Sequence, residues 1–175
     1  MRLQDQLRTA FENLSRRLQA ADAPFVRERE LVSLFAFGPL LAVVHSDGEL
    51  FDARQIGIEV AVPQRPSWPG ERLKVDVCKD LVIWERPEMT CWGPDGAHRL
   101  FPRAVLEWKA VPPRGRASGA VRGQRHGELW LQWMVNESPA SEGYSVLVRG
   151  DRGRWTVCVD RYSHLGIEAP WFATP

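Results

Sequence analysis

Three charged residues on two strand-like segments carry the chemistry that this sequence could perform. Asp80 precedes the apolar run Leu81-Val-Ile-Trp84, and Glu107 and Lys109 lie two residues apart in the segment RAVLEWKAV. Residues two apart on a strand project from the same face. If the two segments pair, Asp80 lies near Glu107, and one of the two carboxyl pKa values rises unless a cation lies between them. Mg²⁺ is the natural cation for such oxygen ligands.

A lysine beside two carboxylates and a divalent cation suits the hydrolysis of a phosphodiester bond. The cation activates water and stabilises the charge that develops during the reaction. Lys109 would then hold or polarise a water or a phosphoryl oxygen. Two alternatives stay open. Asp76 is a rival ligand, because alternation places it on the same strand face as Asp80. Glu107 and Lys109 could instead form a solvent-facing ion pair.

A basic, glycine-rich segment follows Lys109. The chain has no acidic residue between Ala110 and Gly127, and its arginines there are Arg114, Arg116, Arg122 and Arg125. A mobile basic arm beside a metal site could grip phosphates, so we expect these arginines to bind nucleic acid. The alternative is a solvated loop whose arginines have no such role.

The bulk composition is that of a soluble globular protein. The chain has 175 residues, of which 44% are hydrophobic and 26% charged, and this suits a single domain. The net charge of +1 means that attraction for a polyanion must come from a local patch. Scattered cysteines argue against a disulfide scaffold or a structural zinc site. The sequence shows neither a secretory signal nor a membrane-spanning apolar run, so we expect a cytoplasmic protein without a membrane partner.

Apolar periodicity predicts the elements that position the charged residues. Steps of three and four predict a helix over 3–18, and a second helix runs from 25 to about 37, where Gly38-Pro39 interrupts it. Strand patterns cover 55–62, 73–84 and 103–111. A long loop, 85–102, separates the second strand from the third.

The second half of the chain predicts a helix and a hairpin. A mobile segment over 114–127 precedes a short helix at 128–137, and strands at 144–148 and 155–159 form a hairpin. The tail, 167–175, is expected to be irregular. This order predicts a mixed sheet of about five strands with helices packed on it.

These residues, in this order of elements, resemble the signature of the PD-(D/E)XK superfamily, the restriction-endonuclease-like nucleases. Lys79-Asp80 stands where that family has Pro-Asp, and Glu107-Trp108-Lys109 stands where it has (Asp/Glu)-x-Lys. The family's core order is helix, three strands, helix, strand, and the predicted order fits it over 25–159. Lys79 is a departure, since the family has proline at that position.

The resemblance implies an α/β (α+β) fold with a restriction-endonuclease-like core over 25–160, between an N-terminal helix at 1–22 and a tail at 161–175. It implies that Asp80 and Glu107 bind Mg²⁺ or Mn²⁺ and that Lys109 assists the attacking water. Many members carry a further glutamate on the first core helix. Glu30 or Glu28 would be that residue, and the steps from Glu30 to Leu34 and Phe37 favour Glu30.

The function implied is a metal-dependent nuclease whose partner is nucleic acid, with DNA expected first. No separate recognition domain is visible, so such an enzyme would need a homodimer or a partner protein to choose a site. One alternative is a catalytically inactive member of the same fold that binds nucleic acid or protein. Another is a structural protein whose tryptophan-rich surface binds a second protein.

Overall fold

The computed structural model describes residues 1–20, 27–64, 76–111, 117–151 and 154–174, and for 117–123 the backbone alone. A single mixed sheet of six strands is flanked by helices, so the fold is α+β. The elements are α1 (Leu3–Ala20), α2 (Glu28–Phe35), β1 (Ile56–Pro63), β2 (Asp76–Ile83), β3 (Ala104–Val111), α3 (Ala117–Glu137), β4 (Glu142–Asp151), β5 (Arg154–Ser163) and β6 (Gly166–Ala173).

The strands follow one another across the sheet in chain order, from β1 to β6. All neighbours are antiparallel except β3 and β4, which are parallel and are joined by the crossover helix α3. The ladder between β2 and β3 is short. It runs only from Ile83↔Ala104 to Leu81↔Leu106, so residues 76–80 of β2 and residues 107–111 of β3 lie beyond it.

Each face of the sheet has its own hydrophobic core. On one face, the predicted stripe of α1 is buried together with Leu31 and Phe35 of α2 against Leu106 and Trp108 of β3. On the other face, Trp130 and other apolar residues of α3 pack with Val82 and Val105. Burying a side chain such as that of Phe35 stabilises the fold by about 1.5–3 kcal/mol, so these two layers fix the sheet between them.

The prediction of a mobile segment before a short helix is wrong for 117–127, because α3 begins at Ala117 and runs to Glu137. The glycines of this stretch lower its helix propensity, which explains the misprediction. Tertiary packing overrides that preference. A Cβ built on Gly127 would lie 3.5 Å from Cβ of Glu107, so the helix backbone lies directly against β3. Residues 112–116 fall outside the described part of the chain.

Two further predictions need correction. The sheet has six strands rather than about five, because the tail that was expected to be irregular forms β6, paired with β5. β6 contains Pro170, and proline is tolerated there because β6 is an edge strand of the sheet. The chain also stays helical beyond α2. A π-helical turn spans Ala36–Leu40 and contains Pro39.

None of the helices in the described ranges has the length and hydrophobicity needed to cross a membrane.

Candidate active site

On the edge that faces β2, the far half of β3 bonds to carboxylates instead of to a strand backbone, while its other edge stays paired with β4. Beyond Leu106, its Trp108 N–H donates to Oδ2 of Asp80 at 2.8 Å. The next N–H on the same strand edge, that of Ala110, donates to Oε2 of Glu28 at 3.3 Å. Buried backbone N–H groups require partners, and here two acidic side chains take the place of β2. The end of the ladder is therefore an acidic notch in the sheet.

A slip in strand alternation turns Asp80 towards this notch. Ile58 packs in the core under α1 and α2, whereas Val60, two residues later, packs in the core under α3. Glu59 between them has a φ of 52°, a left-handed backbone that few non-glycine residues adopt. Across the ladder, Leu81 and Val77 likewise lie in opposite cores, although regular alternation would place residues four apart on one face. Irregularities of this kind change the direction in which side chains project from a strand. Asp80 lies within this irregularity, between Val77 and Leu81.

Asp80 and Glu107 are neighbours, as the pairing of their segments predicted. Burial raises the pKa of Glu107, and the adjacent Asp80 carboxyl, within hydrogen-bonding reach, raises it further. Lys79 acts in the opposite direction by contacting Oε1 of Glu107. Two carboxyl groups brought together in a partly buried notch create a demand for positive charge.

Lys79 is the residue of this cluster that the sequence did not single out as functional. Its ammonium group, on a side chain only 6% exposed, contacts Glu107 and lies 4.2 Å from the ring centroid of Trp130. The aromatic face and the carboxylate together compensate for the loss of water around this cation. A lysine at the position where the resembling family has proline was the available signal.

Lys109 is held by a glutamate of α2. Its Nζ donates to Oε1 of Glu28 at 3.1 Å, so Glu28 bonds both this ammonium and the Ala110 N–H. The sequence favoured Glu30, but the Glu30 carboxylate accepts from the backbone N–H of Arg27 at the start of the helix. Glu28 continues the buried stripe of α2. Of the two residues on which the choice of Glu30 was based, Leu34 packs against the core, but Phe37 is 70% exposed.

The remaining candidates lie outside the cluster or outside the described residues. Asp76 is an exposed residue at the start of β2, opposite Pro63, about 13 Å along the strand from Asp80. Arg125 is exposed on α3, two residues before Gly127, which contacts Glu107. Arg114 and Arg116 lie outside the described residues, and of Arg122 only the backbone is described.

The donor set of the notch suits a magnesium ion. Mg²⁺ keeps several waters and is bound by one or two carboxylates, and Asp80 and Glu107 supply two in adjacent positions. The observation behind this fit is the pair of carboxyl groups itself, which lie within hydrogen-bonding reach of each other at the end of the ladder. Within the described residues, no group of three His, Cys, Asp or Glu side chains is arranged to hold a metal ion.

Comparison with known proteins gives no relative. No protein-family model, curated protein or solved structure matches this chain. The resemblance to the PD-(D/E)XK superfamily therefore stays a prediction that rests on the residues and elements described above.

Proposed function

We propose that this protein is a Mg²⁺-dependent hydrolase of phosphodiester bonds in nucleic acid. The observation that carries the proposal is the adjacency of the Asp80 and Glu107 carboxyl groups at the end of the β2–β3 ladder. Lys109 lies two residues after Glu107 on β3, and its ammonium forms an ion pair with Glu28. Two acids and a lysine are the groups that metal-assisted attack of water on a phosphodiester requires.

The arrangement of elements supports this proposal. Three antiparallel strands, β1 to β3, follow α2, and α3 then crosses to β4, which is parallel to β3. This is the order of helix, three strands, helix and strand that the resemblance implies. The charged residues lie at the middle of that order, on β2 and β3. Fold likeness leaves function open, so the side chains of the notch carry the proposal.

Each side chain of the notch has a role in the proposed reaction. When bound, a divalent cation would lower the pKa of a water and offset charge on the phosphoryl oxygens. Asp80 and Glu107 would hold that cation. Lys109 would orient the attacking water or donate to a phosphoryl oxygen, and Glu28 positions the Lys109 ammonium. Arg125 on α3 would contact a backbone phosphate of the substrate.

A cleavage assay with a matched control tests the proposal. Labelled single-stranded and duplex DNA and RNA are incubated with Mg²⁺, with Mn²⁺ or with a chelator. We expect cleavage that requires the cation and falls at least about 100-fold in Lys109→Met and Asp80→Asn. Arg99→Met removes an exposed cation whose partner is Asp95, and it should cleave like the wild type. Equal inertness of the wild type and Lys109→Met on every substrate would refute the hydrolase.

A second candidate function is a non-catalytic binding module, and Lys79 is the observation that favours it. Its buried ammonium already contacts Glu107, so a cation that is part of the chain supplies charge where a metal would. Calorimetry with Mg²⁺ separates the two functions. A hydrolase binds the ion and loses binding in Asp80→Asn, whereas a module of this kind shows no Mg²⁺ binding in either protein.

A further inference from the structure

A cavity of about 400 Å³ opens beside Asp80 on the α2 side of the sheet. Its walls come from α2, the π-helical turn and β1, and its lining includes Arg29, Val32, Phe37, Ile58, Glu59 and Asp80. The volume falls within the range of small-ligand sites in proteins. A group seated in this cavity would therefore lie next to a carboxylate of the proposed active site.

The cavity combines apolar walls with an exposed aromatic ring. Val32 is buried and Ile58 is partly buried, and both belong to the core beneath α1 and α2. Phe37 is 70% exposed although it lines the same cavity. A solvent-exposed phenylalanine that lines a cavity with apolar and polar walls offers a flat surface on which a planar ring can stack.

The backbone around Phe37 has an unusual geometry. Pro39 lacks an N–H group, and the chain passes it in the π-helical turn Ala36–Leu40 that follows α2. Short π-helical turns are rare and occur often at functional sites. The π-helical turn therefore gives the Phe37 side chain a different direction from the one it would have if α2 continued as a regular α-helix. The turn and the left-handed Glu59 bound the cavity from two sides.

The polar rim of the cavity suits a nucleotide. Arg29 forms an ion pair with Glu59 at 2.8 Å, and the Arg29 side chain is 84% exposed, so it can also reach a phosphate in solvent. Phosphate contacts position a strand, while its bases remain free to stack on an aromatic side chain. A base inside a duplex is already stacked on its neighbours, so it could enter only after leaving the helix.

We propose that this cavity binds one unpaired base of a single-stranded nucleic acid, stacked on Phe37, beside the phosphodiester that Asp80 helps to cleave. This inference rests on the proposed function and specifies its substrate class as single-stranded or locally unpaired nucleic acid. Phe37 is then a specificity-determining residue that contacts the substrate without taking part in the chemical step.

Binding measured without metal tests the cavity separately from catalysis. The probe is a labelled single strand of about 12 nucleotides, within the site sizes of single-strand-binding domains, titrated with the full chain in the presence of a chelator. We expect Phe37→Ala to weaken binding about tenfold and Phe37→Trp to restore it, because stacking requires an aromatic face. Phe51→Ala is the matched control, since Phe51 is also an exposed phenylalanine, at 43%, and lies outside this cavity.

The outcomes distinguish the cavity from the hydrolase. If wild type and Phe37→Ala bind the single strand equally, if Phe51→Ala weakens binding as much, or if the wild type does not bind it, the base site is refuted. If Phe37→Ala alone weakens binding and Phe37→Trp restores it, the base site stands, even where the wild type shows no metal-dependent cleavage. Cleavage that persists unchanged in Phe37→Ala on single strands would keep the hydrolase and refute the base site.

Discussion

Oδ2 of Asp80 accepts the N–H of Trp108 at 2.8 Å, so this carboxylate bonds β3 at a position where the β2 backbone no longer does. Asp80 therefore combines two roles. One oxygen completes the hydrogen bonding of the sheet, and the carboxyl as a whole lies beside Glu107. Substitutions that preserve an oxygen but remove the charge can separate the structural role from the chemical one.

We expect Asp80→Asn and Asp80→Ala to differ in stability but not in loss of function. Asparagine keeps an oxygen that can accept from Trp108, whereas alanine leaves a buried N–H without a partner, which costs about 1–3 kcal/mol. Urea unfolding compares the two variants, and cleavage assays should show both inactive. Asp151→Asn, at the exposed end of β4, is the control and should change neither property. Equal stability of the Asn and Ala variants would contradict the structural role.

The Lys79–Glu107 pair should behave as a coupled unit. Its side chains are 6% and 15% exposed, so removing one partner leaves a largely buried charge and is expected to cost about 3 kcal/mol. Lys79→Met with Glu107→Gln should cost less than the two single changes together, by about 2 kcal/mol. A double-mutant cycle by chemical unfolding measures this difference.

The exposed Arg99–Asp95 pair provides the matched cycle on the same protein. Its side chains are 59% and 54% exposed, and solvent screening should leave no measurable coupling between them. Similar coupling in the two cycles would show that burial of Lys79 has no energetic consequence.

Glu28, and not Glu30, should matter for turnover. Glu28→Gln weakens the grip on the Lys109 ammonium, and a misplaced catalytic group can lower the rate about 10- to 100-fold. The KM for a labelled oligonucleotide should change little, because the substitution leaves the substrate contacts in place. Glu30→Gln keeps an oxygen for the Arg27 N–H and should retain wild-type kcat. If kcat fell further in Glu30→Gln than in Glu28→Gln, Glu30 and not Glu28 would be the glutamate that supports catalysis, as the sequence favoured.

Glu142 should make the stability of the fold sensitive to acid. Burial alone would raise the pKa of this carboxyl, but hydrogen bonds from Tyr144, Gln4 and Arg161 outweigh burial and hold the pKa below its usual 4.5. A group whose pKa is lower in the folded state stabilises the protein above its unfolded pKa. This stability is lost as the pH falls through the folded pKa.

Urea unfolding of Glu142→Gln between pH 7 and pH 3 measures that contribution. The variant should be less stable than the wild type by about 1–3 kcal/mol at pH 7, and the gap should narrow below about pH 4.5. Glu137→Gln, an exposed position at the end of α3, should match the wild type throughout. A gap that stays constant with pH would contradict the lowered pKa of Glu142.

The sequence predicted the elements better where a regular period was present. The apolar stripe of α1 and the strand-like runs of β1 and β3 predicted those elements to within two residues. The glycines at 117–127 led to the prediction of a mobile segment, whereas packing against β3 makes that stretch helical. The tail was expected to be irregular, whereas pairing with β5 makes it β6. The proximity of Asp80 to Glu107 was predicted correctly by pairing the two strand patterns that contain them.

The rest of the candidate site depended on irregular backbone. The face of Asp80 is set by the slip at Glu59, whose left-handed φ no periodic pattern encodes. The sequence marked Lys79 only as the position where the resembling family has proline. In the structure its ammonium lies over Trp130 and offsets the charge of Glu107. Glu28 could have been found, because it lies three, four and seven residues before the buried Leu31, Val32 and Phe35.

Two backbone amides of β3 in the notch can report the positions of the carboxylates that bond them. The N–H groups of Trp108 and Ala110 are bonded to carboxylates, whereas those of a regular strand are bonded to a neighbouring backbone. Hydrogen exchange at these two positions would follow any movement of Asp80 or Glu28 towards a cation or a substrate, while the rest of β3 stayed protected by β4. Occupancy of the site could thus be measured from the peptide backbone, without any assay of turnover.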